Sequence, residues 1–159
     1  MSLEMPQDDH VMADDPASRL EELVGYHLRR ASVFDLQGAV SALEATNTRP
    51  VPLSVLVCIQ ETPGISSAEI CRRLGMQRAN IVSILANLEE RGLFLRETDA
   101  ADQRIQRLFP TRRGEAEAAH GLALLTEHER RLLHRLSAAE QKELRRLLAK
   151  IWQEDEHCG

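Results

Sequence analysis

Arginine is concentrated in the middle of this 159-residue chain. Between Cys71 and Arg113 there are nine arginines and five acidic residues, so this segment carries a net charge of +4 although the whole chain carries −5. A positive segment between acidic flanks is typical of a protein with one localised anion-binding surface. A chance cluster on a solvated surface gives the same composition, so charge alone does not decide between the two interpretations.

A helix that begins near Gln77 and ends at Gly92 is predicted to present a face suited to reading DNA bases. Its apolar side chains recur at helical spacing and are expected to face inward. These are Ile81, Ile84, Leu85 and Leu88. The opposite face then carries small, apolar and amide side chains. These are Ala79, Asn80, Val82, Ser83, Ala86 and Asn87. Asparagine can pair with adenine, serine can reach bases or phosphates, and alanine or valine can pack on a thymine methyl group. The alternative is a plain solvated face, but such faces are usually rich in Glu and Lys.

Arginines on both sides of this face are candidates for contacts with phosphate. Arg78 lies near the helix start, where it can pair with phosphate or guanine. Arg72 and Arg73 end the preceding helix, although Arg73 could instead pair with a neighbouring acid. Arg104 is the one cation in the polar loop 98–104, and Asp99 or Asp102 could neutralise it. Asp102 is expected to shape the loop, because phosphates repel a carboxylate.

The elements that must position these residues form a winged helix-turn-helix. Ser66-Ser67-Ala68-Glu69 is a capping box that opens a short helix. That helix stops at Gly75, and a glycine-containing turn leads into the next helix. Residues 93–97 and 105–110 are then predicted as the two strands of a hairpin, which is the wing. The fold class is mostly α with a small antiparallel β wing.

Further helices are predicted on both sides of this lobe, after an acidic tail at 1–17 that is expected to be mobile. A helix from Ser18, a second over 33–44 and, after a loop at 46–52, an apolar helix over 53–60 precede the lobe. Thr111 opens a long helix, and Ser137-Ala-Ala-Glu140 is the capping box of the last one. Leucine-rich stripes run along these two helices: Leu122, Leu125, Leu132, Leu133 and Leu136, then Leu144, Leu147, Leu148, Ile151 and Trp152.

From about Leu20 to Trp152 the chain resembles the multiple antibiotic resistance regulator (MarR) family. The strongest parts are PGISSAEICRRLGMQRANIVSILANLEERGL (63–93) and TDAADQRIQRLFPTRRG (98–114). Asp102, Arg104, Thr111 and Gly114 fit the family's wing motif, although Phe109-Pro110 replaces the usual leucine. Val82-Ser83 stands where many members have Thr-Arg. The usual base contacts, and with them the operator sequence, are therefore not carried over.

The resemblance implies a homodimer that acts as a ligand-responsive, sequence-specific regulator of transcription, usually a repressor. Residues 18–159 would form one domain, with dimerisation helices at 18–45 and 115–156 and a DNA-binding lobe at 50–113. A two-fold dimer would bind a pseudo-palindromic operator. The implied effector is a small aromatic acid or its thioester, and no cofactor is implied. Candidates for its pocket are Tyr26, His27, Arg30, Phe34 and Leu53.

No catalytic or metal site is predicted. The chain has no nucleophile elbow, phosphate loop or paired metal carboxylates. Some members of the family sense zinc, which directs attention to His27, His120 and Cys158, but their spacing is not that of a metal site. Cys58 and Cys71 fall on apolar helix faces and are expected to be buried, inert thiols.

The sequence also contains no signal peptide and no membrane span, so a cytoplasmic protein is expected. Two other functions stay open at this point. One is a winged-helix adaptor that binds proteins and not DNA, which the missing arginine of the DNA-reading helix favours. The other is a small hydrolase, which the absent nucleophile motif disfavours.

Overall fold

The computed structural model describes residues 16–153 and is mostly helical, with one small antiparallel sheet. This confirms the predicted fold class. In chain order the elements are α1 (Pro16–Glu21), α2 (Val24–Ala42), α3 (Pro50–Glu61), β1 (Ile65–Ser66), α4 (Ser67–Leu74), α5 (Arg78–Glu90), β2 (Phe94–Thr98), β3 (Gln106–Pro110), α6 (Arg112–Leu132) and α7 (Ala138–Trp152). Contacts group the chain into two units, residues 1–34 and 35–159. Among the described helices, none has the length and apolar character needed to cross a bilayer.

The helices of the N-terminal unit are divided at a different point from the predicted one. The break lies between Glu21 and Val24, where the Leu23 N–H donates to the Leu20 carbonyl at 3.1 Å. No break occurs near Val33, and α2 continues through Gly38 to Ala42. Pro16, predicted to be in the tail, opens α1, since proline at the first helical position loses no hydrogen bond. Residues 1–15 of the predicted tail lie outside the described residues.

In the larger unit, α3 starts three residues earlier than predicted. The loop predicted at 46–52 gives way to helix at Pro50, and Arg49 is the N-cap residue. The first backbone N–H groups of a helix have no partner within it, so Pro50 and Pro52 cost no hydrogen bond in the first turn. The rest of α3 is the centre of the core, and its buried residues are Leu53, Val55, Leu56, Cys58 and Ile59.

The helix-turn-helix follows the predicted pattern closely. Both hydrogen bonds of the Ser66–Glu69 capping box are present, and α4 ends at Gly75 in a left-handed conformation with φ +63°. Glycine adopts this conformation without strain. In α5, Ile81, Leu85 and Leu88 are buried, and Ile84 packs against the same core.

The wing is part of a three-stranded sheet in the order β1-β3-β2. Both wing strands begin one residue later than predicted. In addition, β1 pairs Ile65 with Leu108 and Ser66 with Arg107. A two-residue strand is too short to show alternation in the sequence, so β1 was not predicted.

Small residues pack the first half of α6 into the core, in place of leucines. Gly114, Ala118 and Gly121 are buried there. A Cβ on Gly121 would lie 2.6 Å from the Leu53 side chain, so any other residue at this position would force Leu53 or the two helices to shift. Of the predicted stripe over 122–136, Leu122 is 44% exposed and the other leucines are half-buried. No residue of α7 is buried. The α7 stripe is therefore largely open to solvent in the single chain, whereas the stripe over 122–136 is mostly half-buried.

Candidate nucleic-acid interface

The outward face of α5 is exposed throughout, as the helical spacing predicts. Its residues are Arg78, Ala79, Asn80, Val82, Ser83, Ala86 and Asn87. Val82 is 67% exposed, although it is apolar. The Ser83 hydroxyl donates to the Asn80 carbonyl at 3.3 Å, and the Asn80 side chain has no hydrogen-bond partner among the described residues. This face offers amide, hydroxyl and methyl groups without carboxylates before Glu89.

Arg72, Arg73 and Arg78 line one cleft at the turn between α4 and α5, together with Met76 and Trp152. Arg73 is paired: its Nη2 lies 2.5 Å from Glu61 Oε2, and its Nη1 donates to the Thr62 hydroxyl at 3.2 Å. The alternative considered for Arg73 is therefore present in the structure. Within the described residues, Arg72 and Arg78 have no carboxylate partner.

Most other arginines of the positive segment are tied to acids. Arg96 pairs with Glu89 at 2.9 Å, and Arg91 pairs with Glu117. Arg112 and Arg113 open α6 and are exposed without an ion pair in the part of the chain that the structure describes. The positive charge available to a partner is thus concentrated on Arg72, Arg78 and the start of α6.

The wing loop is organised by the carboxylate of Asp99. Asp99 Oδ1 accepts the backbone N–H groups of Ala101 and Asp102 at 2.8 and 3.0 Å. Asp99 Oδ2 accepts Arg107 Nε at 2.7 Å. The hydrogen bond from Arg107, followed by those from the backbone, lowers the pKa of Asp99 to about 2.

Arg104 lies at the wing tip with 90% of its side chain exposed. Its Nε donates to Asp102 Oδ1 at 3.1 Å, and Asp102 Oδ1 also accepts the Arg104 N–H at 3.0 Å. Asp102 therefore shapes the loop, as expected, and it also partners Arg104. Hydrogen bonds from Arg104 lower the pKa of Asp102.

Arg107, on β3 beside the wing loop, anchors that loop, a role that the sequence did not reveal. Beyond Asp99, its Nη1 donates to the Gly64 carbonyl at 3.3 Å and to Glu69 Oε2 at 3.2 Å. Glu69 is the third helical residue of the α4 capping box, so one guanidinium joins the wing loop to the helix-turn-helix. The pKa of Glu69 is lowered, mainly by its hydrogen bonds with Ser66.

Two residues of the wing motif, Thr111 and Gly114, join the end of α5 to the start of α6. The Thr111 hydroxyl donates to the Gly92 carbonyl at 2.8 Å, and the Thr111 N–H donates to the Leu93 carbonyl at 3.1 Å. A Cβ on Gly114 would collide with the same Leu93 carbonyl. Gly114 thus permits the start of α6 to lie close to Leu93, and Thr111 supplies the hydrogen bonds that hold it there.

The effector-pocket candidates fall in both units. On α2, Tyr26 is half-buried and stands edge to face with His27, whose ring nitrogen Nε2 lies 2.7 Å from the Glu21 carbonyl. Arg30 and Phe34 are exposed. Leu53 is buried in the larger unit beside Gly121. That these five residues line one pocket stays a prediction.

Cys58 and Cys71 are buried free thiols, as predicted. Burial raises the pKa of Cys58, which keeps it in the unreactive thiol form. No group of three metal-ligating side chains occurs among the described residues. Cys158, which was considered as a zinc ligand, lies outside them.

Comparison with known proteins identifies relatives that regulate transcription. The MarR family model matches residues 50–105. A putative transcriptional regulatory protein for the hcr operon of Thauera aromatica is 28% identical over 133 residues, which cover 83% of this chain and 80% of that protein.

Two of the similar solved structures are of one repressor, and the similarity extends over most of their length. One is the transcriptional repressor CouR bound to a 23-mer DNA duplex, with 34% identity, a TM-score of 0.79 and coverage of 85% of this chain and 96% of that one. The other is CouR bound to p-coumaroyl-CoA, with 33% identity, a TM-score of 0.75 and coverage of 86% and 96%.

Proposed function

The chain belongs to the MarR family, and on this premise we propose that it is a ligand-responsive regulator that binds a specific sequence of double-stranded DNA as a homodimer. MarR-family proteins are regulators and not enzymes. The observation that carries the proposal is the exposed, carboxylate-free face of α5. It is supported by the similarity of the whole lobe to a repressor bound to DNA.

In this proposal α5 lies in the major groove. Asn80 and Ser83 contact base edges, while Ala79, Val82 and Asn87 complete the reading surface. Arg72 and Arg78 contact phosphates, and Arg73 does so only if it leaves Glu61. Arg104 at the wing tip reaches the minor groove, where a narrow A·T-rich segment attracts a cation.

A second copy of the chain covers the open apolar stripes in this proposal. MarR-family regulators are dimeric, and α7 exposes Leu144, Leu147, Ile151 and Trp152. Removing such side chains from water contributes about 25 cal/mol per Å² of apolar surface. A two-fold dimer presents two identical α5 helices, so the operator is an inverted repeat.

The effector class follows from the CouR relative, which has been solved with p-coumaroyl-CoA. We propose that this chain also responds to an aromatic acid or its thioester. Tyr26, His27, Arg30, Phe34 and Leu53 are the residues proposed to bind it. A CoA thioester and the corresponding free acid can be told apart by titrating each against the DNA complex.

The function is tested by measuring DNA binding over a series of salt concentrations. The logarithm of the affinity should fall linearly with the logarithm of the salt concentration, with a slope of about −0.9 per phosphate contact. Arg72→Ala and Arg78→Ala should each make that slope shallower by the amount expected for about one phosphate contact per subunit. Arg145→Ala on α7 should leave the slope unchanged. A folded protein that retards no fragment at any salt concentration would favour the protein-binding adaptor.

A further inference from the structure

Three polar side chains from different elements meet beside the end of α5. Arg91 is the C-cap residue of α5, Glu117 lies on α6, and Thr48 lies in the loop before α3. Arg91 Nη1 and Nη2 donate to the Thr48 hydroxyl oxygen at 3.4 and 3.3 Å. Nη2 also donates to Glu117 Oε1, and the Thr48 hydroxyl donates to the same oxygen. We call these residues the Thr48–Arg91–Glu117 cluster.

The cluster is shielded from solvent, unlike most ion pairs of this protein. The Arg91 and Glu117 side chains are 18% and 20% exposed, and Thr48 is 6% exposed. By comparison, the Arg130–Glu127 pair on the same helix α6 is 72% and 50% exposed. A shielded pair is screened less by salt, and removing one partner leaves a charge without compensation.

The cluster lies where a small movement has a large effect on DNA reading. Arg91 follows α5 at one end, and Asn80 stands near the other, about 16 Å away at 1.5 Å per residue. The buried Ile81, Leu85 and Leu88 hold α5 on the core, so the cluster sets only the fine angle of the helix. A tilt of about 4° at the Arg91 end would move Asn80 by about 1 Å, which is enough to take a hydrogen bond out of its normal range of distances. Thr111 and Gly114 hold the backbone of the turn, but their contacts lie beyond the helix, at Gly92 and Leu93.

We infer that the Thr48–Arg91–Glu117 cluster positions the DNA-reading helix, so that Glu117 and Thr48 contribute to sequence specificity although they lie away from the reading face. The inference rests on the proposed function, since it assigns residues that act through α5. The cluster holds the angle of α5 against α6, and α5 then presents Asn80 and Ser83 in register with the bases. Loss of the cluster lowers discrimination between sequences and leaves phosphate contacts in place.

The test compares Glu117→Gln with Glu127→Gln, which makes the same change in the exposed pair of α6. The DNA probes are a duplex selected from a random pool by the unaltered protein and a duplex of random sequence. Glu117→Gln should lower the preference for the selected duplex about tenfold, equivalent to about 1.4 kcal/mol. Its salt slope should stay unchanged, and Glu127→Gln should retain the full preference. Equal preference in the two variants would overturn the inference.

Two further variants separate positioning from a general loss of stability. Thr48→Val removes one hydroxyl and keeps the ion pair. It should therefore also lower the preference for the selected duplex, with little change in Tm. The double variant Arg91→Met/Glu117→Gln should lose no more of the preference for the selected duplex than the more severe single variant does, because both substitutions break the same interaction. Additive losses would show that the two residues act independently and would contradict the cluster.

Hydrogen exchange tests the anchoring without DNA. In Glu117→Gln the backbone amides of residues 87–93 should exchange faster than in the unaltered protein, while those of α7 should not change. Unchanged exchange at 87–93 would overturn the inference even if DNA binding were normal. If the unaltered protein selects no duplex, the proposed function fails, and the exchange result still decides whether the cluster anchors α5.

Discussion

Carboxylate partners sort the arginines of the positive segment into two groups. Arg91, Arg96 and Arg107 bind acids that belong to other elements, so their charge stabilises the lobe. Arg72 and Arg78 have no such partner among the described residues and stand beside the reading face. The exposed face of α5 was predictable, because helical periodicity is local in sequence. The ion pairs were not, because Arg91 and Glu117 are separated by 26 residues and only the fold brings them together.

Asn80 is predicted to set sequence preference. Asn80→Ala removes the amide that would pair with a base and should cost about 1–3 kcal/mol on the preferred base pair. Selection from a random pool should then return a motif that is relaxed at one or two positions in each half-site. Glu90→Gln, at the other end of α5, is the control and should return the original motif. An unrelaxed motif from Asn80→Ala would show that another residue reads that position.

Arg104 is predicted to increase the affinity for DNA. It is expected to contribute to sequence preference only through the shape of the minor groove. Its exposed pair with Asp102 is weak, so the guanidinium can leave it for the minor groove at little cost. Arg104→Ala should weaken binding and flatten the salt dependence by about one phosphate equivalent per subunit. Gln103→Ala, in the same loop, is the control. Affinity and salt slope equal to those of the unaltered protein would assign Arg104 a structural role only.

At the scale of elements, the parts that sequence predicted correctly are those with local signatures. Capping boxes at Ser66 and Ser137 and the glycine at 75 placed helix ends within a residue or so. The errors arose where context outweighs composition. Pro50 and Pro52 were assigned to a loop although the first turn of a helix tolerates proline. The close approach of α3 and α6 at Gly121 depends on Leu53, which no local pattern indicates.

The Asp99 carboxylate is predicted to stay ionised, and to keep its hydrogen bonds in the wing loop, down to a pH of about 2. Because the pKa of Asp99 is lowered on folding to about 2, its carboxylate stabilises the loop above its unfolded pKa near 4. That contribution is lost as the pH falls from about 4 towards 2, when Asp99 is protonated. An NMR titration should show the Asp99 carboxyl and the Ala101 amide titrating together near pH 2.

A variant of Arg107 serves as the control for this prediction. Arg107→Met removes the largest cause of the shift, so the pKa of Asp99 should rise towards its ordinary value while the backbone hydrogen bonds of Ala101 and Asp102 persist. An Asp99 carboxyl that titrates near pH 4 in the unaltered protein would contradict the described wing loop.

For the whole molecule, the open stripe on α7 predicts that folding and dimerisation are linked. Leu147 is 46% exposed in the single chain and would be covered in the dimer. Leu147→Glu should shift the protein towards monomer and lower its Tm, because a carboxylate would be buried in an apolar interface. Lys142→Gln, on the opposite face of α7, should do neither. Light scattering that finds Leu147→Glu fully dimeric at low micromolar concentration would exclude α7 from the interface.

The central claim is that two copies of this chain read one DNA sequence with paired α5 helices. It is tested most directly by selecting duplexes from a random pool with the unaltered protein and footprinting the product. The account predicts an inverted repeat whose half-site centres lie about 10 base pairs apart, with both halves protected. A pool without enrichment, or a single asymmetric half-site protected by one subunit, would contradict it.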